Sequence, residues 1–175
     1  MTNDLLGSIR SVPDFPKKGI VFRDITTLLK DKVAFASAID ALHRHYEGIR
    51  VDKVVSVESR GYILGAPLAY KLSAGFVPIR KPGKLPAATV RQEYALEYGT
   101  DAIEIHKDAI SLGENVLLHD DLLATGGTIA AACHLVERLG GKVVGLSFLI
   151  ELTFLSARKK LPQYDIFSLI QYDRE

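Results

Sequence analysis

The sequence predicts an α/β fold, a mainly parallel twisted sheet flanked by helices. Three observations carry this reading. Short apolar runs alternate with segments of helical period from about residue 32 onward. Several runs are apolar throughout, as strands covered on both faces are. Polar clusters recur where the runs end: Glu58-Ser59-Arg60, Arg80-Lys81, Asp120-Asp121 and Glu151. Ligands of open parallel sheets bind beyond the carboxyl ends of the strands, so this convergence predicts a site there without relying on any one motif.

The elements follow in order. The chain up to about Lys30 reads as irregular, broken by Pro13, Pro16 and Gly19. Asp31 is placed to cap a helix over Lys32 to Tyr46, with Val33, Phe35, Ala36, Ile39 and Leu42 at helical spacing. Lys53 to Val57 is a β-branched run, a buried strand. Gly61 to Leu72 reads as a helix, with Pro67 awkward in its interior. Gly75 to Ile79 is a second strand, ending in the basic segment RKPGK. Ala87 to Gly99 is polar and mixed, without firm period. Ala102 to His106 alternates, and Asn115 to Leu118 is a further apolar strand. Gly127 to Leu139 is a helix closed by Gly140-Gly141. Lys142 to Ile150 reads as a long strand, Leu152 to Leu161 as a short helix and Asp165 to Ile170 as the last strand.

At 175 residues the chain fits a single domain with a real core. It is 47% hydrophobic and 25% charged, within the globular range. A net charge of +1 leaves no global field to draw in nucleic acid or a membrane surface, so an anionic ligand must be caught by local charge. No apolar run approaches the roughly 20 residues that span a bilayer. The single cysteine, Cys133, excludes an intramolecular disulfide and a cysteine-rich zinc site. A soluble, cytoplasmic protein is expected.

The richest stretch is Val116 to Thr128, VLLHDDLLATGGT. Gly126 and Gly127 can take backbone angles closed to other residues and let an anion approach the amides. The first amides of the following helix lack helical partners, and Thr125 and Thr128 add hydroxyls, so Ala124 to Thr128 reads as a phosphate cradle. The plainer alternative is a strand-to-helix turn with a threonine cap. GxxxxGK[ST] and GxGxxG are absent, against a nucleoside triphosphatase or a dinucleotide site. Asp120 and Asp121 repel each other, and burying both requires partners such as cis-diol hydroxyls or magnesium; an exposed acidic turn is the alternative. Arg80, Lys81 and Lys84 lie within five residues, either a solvated turn or, with Arg60 nearby, a diphosphate site. Phe22 and Arg23 lie in a segment that is either a flap on the core or a lid whose ring stacks on a planar base. His43 and His45 do not share a helical face, and Cys133 and His134 read as packing residues.

These residues resemble the type I phosphoribosyltransferases, whose phosphoribosyl-diphosphate motif VLLHDDLLATGGT matches. FPKKGIVFRDIT, ESRGYILGAPLA, IRKPGKLP, YALEYGTDAIEIHKDAI and IELTFL match in the family's order over nearly the whole chain, closest to its adenine-using branch. The resemblance implies purine salvage: transfer of ribose 5-phosphate from phosphoribosyl diphosphate to adenine, releasing AMP and diphosphate. It implies magnesium as cofactor, a homodimer, a hood over residues 1–30 and a flexible loop. By position, Ala124, Thr125, Gly126, Gly127 and Thr128 would bind the 5-phosphate, and Asp120 and Asp121 the ribose hydroxyls. Ser59, Arg60, Arg80, Lys81, Lys84 and Tyr98 would serve the diphosphate. Val21, Phe22 and Arg23 would cover adenine, Phe22 by stacking and its neighbours through backbone groups, with Leu152 closing the other side. Glu97, in the flexible loop with Tyr98, would transfer the proton. No residue is assigned directly to magnesium, which would be held mainly through substrate and water, Asp120 or Asp121 being the protein groups able to join.

Two positions depart from the family pattern. His119 stands where many relatives have an aliphatic residue; beside two carboxylates it could gain a proton more easily, or it could be a spacer facing away. Glu58 stands where some have aspartate. A transferase for another purine base, and a non-catalytic sensor of phosphoribosyl diphosphate, are the competing readings. A 6-oxopurine site wants a donor to the exocyclic oxygen, and a regulator wants a DNA-binding module; neither is evident in the sequence.

Overall fold

The computed structural model describes residues 3–95 and 99–174. The N-terminal segment is more regular than its breakers suggest. It forms α1 (Asn3–Leu6), the antiparallel pair β1 (Arg10–Val12) and β2 (Phe22–Asp24), and α2 (Thr26–Lys30). Pro13, Pro16 and Gly19 all fall in the connection between β1 and β2, where no ladder bond is required. Buried Ile9, Ile25 and Leu28 fix this unit to the core.

α3 (Lys32–Tyr46) starts at Asp31, whose carboxylate accepts from the amides of Val33 and Ala34. β3 (Lys53–Val57), α4 (Gly61–Lys71) and β4 (Gly75–Ile79) follow as expected. Pro67 stays inside α4, on its outer side, where water can serve the carbonyl left without a donor.

The mixed segment after residue 87 is β5 (Thr89–Ala95), paired antiparallel with β6 (Thr100–His106). β7 (Asn115–Leu123) runs five residues beyond the expected end, so Asp120 and Asp121 lie within the strand. α5 (Gly127–Arg138) ends at Gly140, which has φ 87°. β8 (Lys142–Leu152) includes Glu151 and Leu152. The expected helix after it is absent. Two 3₁₀ turns, Thr153–Leu155 and Ala157–Lys160, are separated by Ser156 at φ 54°, a left-handed residue that no continuous helix accommodates. β9 (Ile166–Tyr172) is the last strand.

The central sheet is wholly parallel, in the order β4-β3-β7-β8-β9. From β3 the chain moves outward to β4, then returns to the other side of β3 with β7. The order therefore reverses between β3 and β7, and a crevice opens at their carboxyl ends. One face of the sheet packs Val54, Leu117 and Leu149 against Leu42, Leu64 and Leu68 of α3 and α4. The other packs Val55, Leu118 and Phe148 against Leu135 and Val136 of α5 and Ile103 and Ile105 of β6. No helix among the described residues is long and apolar enough to cross a membrane.

Candidate active site

The turn from β7 into α5 builds the centre of the crevice. Gly126 has φ 82°, a conformation costly for any residue with a Cβ, and packs against Ala157 of the second 3₁₀ turn and Leu161 just after it. No side chain caps α5. Its first amides thus face a cavity of about 90 Å³ lined by Asp120, Leu122, Leu123, Ala124 to Ile129 and Phe148. An uncapped helix start beside a small cavity suits a phosphate-sized anion.

Asp120 lines the same cavity. One of its oxygens accepts from the Asp121 amide at 2.9 Å. Burial raises its pKa well above the usual carboxylate range, and the neighbouring Asp121 charge adds to the effect. Burial also raises Asp121, opposed by the Arg60 guanidinium 2.9 Å away. Gly61, at the start of α4, permits this closeness: a Cβ there would lie 2.9 Å from an Asp120 oxygen and 3.2 Å from the His119 carbonyl. Gly61 was not singled out from the sequence; its place one residue after Glu58-Ser59-Arg60, opening a helix, was the available signal.

The cations converge on the crevice already partnered. Arg60 pairs with Asp121 and also lies over the Phe22 ring, 5.2 Å from its centroid. Arg80 pairs with Glu58 at 2.9 Å, and the Glu58 carboxylate accepts from the Lys81 amide too. Those bonds lower the Glu58 pKa although burial alone would raise it. The Lys81 ammonium donates to Asp101 and the Tyr94 hydroxyl, which ties the β5–β6 hairpin to the basic loop. Lys84 has no carboxylate within 4.0 Å among the described residues. Ser59 is exposed at the head of α4. Asp101 and Tyr94 were also missed, because their role depends on a pairing across the hairpin.

The hood segment divides by strand alternation. Val21 and Phe22 are half-buried, and the Phe22 ring meets Phe15 edge-on at 5.2 Å. The Arg23 side chain points the other way, 8% exposed, its guanidinium 3.9 Å over the Tyr172 ring and bonded to Ser11. Only Arg23's backbone is therefore free to face a ligand beneath the hood. Leu152 ends β8, half-buried, on the far side of the crevice.

Of the two readings of His119, the geometry supports the spacer facing away. It is fully buried, Nδ1 lies 3.2 Å from Ser147 Oγ, and burial drops its pKa to about 3. Its side chain faces α4, beside Gly65, while Asp120 lines the cavity. Glu151 is no strand-end ligand: its carboxylate is buried and held by Arg158 and Ser168. Glu97 and Tyr98 lie outside the described residues, between Ala95 and Gly99. The Ala95 carbonyl, just before them, comes within 3.5 Å of where a Gly127 Cβ would stand.

The model of the phosphoribosyl transferase domain matches residues 24–173. An adenine phosphoribosyltransferase of Solibacter usitatus is 60% identical over 98% of this chain and 99% of its own length. The chain belongs to the adenine phosphoribosyltransferase family. The crystal structure of the adenine phosphoribosyltransferase of Thermoanaerobacter pseudethanolicus has a TM-score of 0.96, with 57% identity, 98% of this chain covered and 100% of that one. The Saccharomyces cerevisiae adenine phosphoribosyltransferase, complexed with adenine and an imino-altritol bisphosphate, has a TM-score of 0.91 and 40% identity, covering 96% of this chain and 97% of that one. Residues before 24, Phe22 among them, precede the matched domain.

Proposed function

We propose that the protein transfers the 5-phosphoribosyl group of phosphoribosyl diphosphate to adenine, releasing AMP and diphosphate, as a step of purine salvage. The observation that carries this is the shared cavity: Asp120 and the uncapped α5 start line one space at the β3–β7 switch point. A sugar 5-phosphate on the amides brings its hydroxyls within the acid pair's province, where donated hydrogen bonds favour the ionised carboxylates. Support from outside comes from the yeast relative, which is solved with adenine and a sugar-like bisphosphate together.

The chemistry follows from charge. Cleavage of the bond to diphosphate leaves an oxocarbenium-like sugar and a departing polyanion. Arg60, Arg80, Lys81 and Lys84 stabilise the charge as it develops, the first three already held near the crevice by their carboxylates. The phosphate cradle and the diphosphate cations grip opposite ends of the donor and orient its anomeric carbon. Phe22 and Leu152 flank the base, and backbone groups of Val21 and Arg23 read its edge. Glu97 exchanges the purine proton, and Tyr98 closes on the diphosphate. The hard oxygens of Asp120 and Asp121 fit magnesium, and the ion would be held mainly through substrate and water. When bound, magnesium neutralises phosphate charge.

A homodimer completes the proposal. α4 turns an apolar outer face to solvent, with Ile63, Ala66 and Tyr70 exposed, and a second copy would cover it. Sedimentation velocity should give twice the chain mass. The activity is tested by spectrophotometric assay with phosphoribosyl diphosphate, magnesium and each of adenine, hypoxanthine, guanine and xanthine. Turnover is expected with adenine. Turnover only with another base would reassign the acceptor, and none with any base would favour a sensor of the donor.

A further inference from the structure

We propose that Tyr172 is a positioning residue for the acceptor base, joining the two walls of its slot; this deepens the adenine-transfer reading and rests on it. The walls come from distant parts of the chain: Phe22 on the two-stranded hood and Leu152 at the end of β8. A two-stranded hairpin is only marginally stable alone, so its height above the sheet must be set by contacts to something rigid. Ile9, Ile25 and Leu28 hold the ends of the unit to the core, and Tyr172 supplies the contact beneath β2 itself. It is the last residue of β9 and the register partner of Leu152, so its backbone is fixed to one wall. The Thr153 hydroxyl donates to its carbonyl at 3.0 Å, fixing the chain where β8 ends. Its ring lies 3.9 Å beneath the guanidinium of Arg23, the residue next to Phe22.

The other contacts of Arg23 point the same way. Arg23 pairs in register with Ser11 of β1 and donates to its hydroxyl, so one guanidinium ties both hood strands together. A second nitrogen reaches the Arg174 carbonyl at 3.4 Å, just past β9. Nε is buried with no hydrogen-bond partner, which leaves the aromatic face as a principal source of compensation for a buried cation. Alternation along β2 converts this inner contact into an outer geometry: fixing Arg23 fixes the side from which Phe22 projects. Loss of the Tyr172 ring would leave a buried charge poorly covered and let the hood lift, widening the base slot while the cradle and the acid pair, on β7 and α5, stay as they are.

The test compares Tyr172→Leu with Tyr172→Phe. In Tyr172→Leu the KM for adenine should rise about tenfold, between the scales of an exposed and a desolvated cation–π contact, with the KM for phosphoribosyl diphosphate within about twofold of wild type. Tyr172→Phe keeps the ring and should restore the adenine KM. Arg23→Met is the reciprocal variant should Tyr172→Leu fail to fold, and should give the same split. Hydrogen exchange provides a readout independent of turnover: amides of β1 and β2 should exchange faster in Tyr172→Leu, and those of β3 and β7 at wild-type rates. An unchanged adenine KM in a folded variant, an equal rise in both constants, or wild-type exchange in the hood overturns the proposal. Failure of the wild type to use adenine would instead refute the parent reading, and the exchange comparison would still decide whether the clamp exists.

Discussion

Asp120 sits where its surroundings disfavour the ionised carboxylate. Burial and the adjacent Asp121 raise its folded pKa well above the unfolded value near 3.8. An acid with a raised folded pKa stabilises the native state while it is protonated, and that contribution is lost as pH rises from the unfolded value through the folded one. At neutral pH the ligand-free protein therefore carries an electrostatic penalty at its own site. Asp120→Asn should raise the melting temperature at pH 7, and the difference should shrink on acidification as the wild-type carboxylate is protonated. Turnover should fall because the ribose hydroxyls lose an anionic acceptor. A melting temperature lowered at pH 7 would show that Asp120 is stabilised by contacts other than those described. His119, its neighbour, is the opposite case: burial lowers its pKa to about 3, so it stays neutral through the range in which a histidine ordinarily titrates. Its protonation could not be judged from the neighbouring carboxylates alone, because strand alternation turns it away from Asp120 and burial alone sets the direction of its shift.

Among the elements, α4 is the one whose placement the site depends on most. Gly61 and Gly65 bring it down onto the sheet: a Cβ at Gly65 would come 2.0 Å from Ser56 Oγ, and one at Gly61 would meet the backbone of His119 and Asp120 at 3.2 and 3.3 Å. Backbone cannot move aside as a side-chain tip can. Gly61→Ala should therefore destabilise by about 1–3 kcal/mol, the usual range for overpacking, and lower turnover by displacing Asp120 and Arg60 together. Denaturant unfolding and steady-state kinetics on the same preparation check both; wild-type values for both would contradict the close approach. α3 and α5 were legible in the sequence by their apolar helical period, and α4 and the central strands as apolar stretches bounded by turn residues. β1, β2 and β5 were not. They are short hairpin strands whose alternate residues are polar, and their signal, as in Val90, Gln92 and Tyr94 of β5, is too weak beside the prolines and charges around it. The stretch after Leu152 looked helical by composition, but left-handed Ser156 and the tie of Arg158 back to Glu151 fold it into two turns.

Across the whole molecule, the site is a consequence of strand order. The reversal between β3 and β7 brings Arg60 and Asp121 together from positions 61 residues apart in sequence, and the basic loop after β4 joins them from the other side. The sequence foretold this meeting from polar groups at strand ends, and the two clusters nearest the reversal, after β3 and within β7, do meet there. It could not foretell that Arg60, Arg80 and Lys81 would each be matched to a carboxylate, or that Arg23 would turn inward to Tyr172, because those pairings join residues whose separation in sequence carries no local signal. The proposed arrangement of ligand is phosphate on the α5 amides, ribose at the acid pair and adenine under the hood. A crystal structure of the complex with AMP and diphosphate tests it most directly. The account expects the 5′-phosphate on the backbone of Thr125 to Thr128, the diphosphate among Arg60, Arg80 and Lys81, and the adenine ring between Phe22 and Leu152; AMP bound with its phosphate away from that turn, or its base outside the hood, would contradict it.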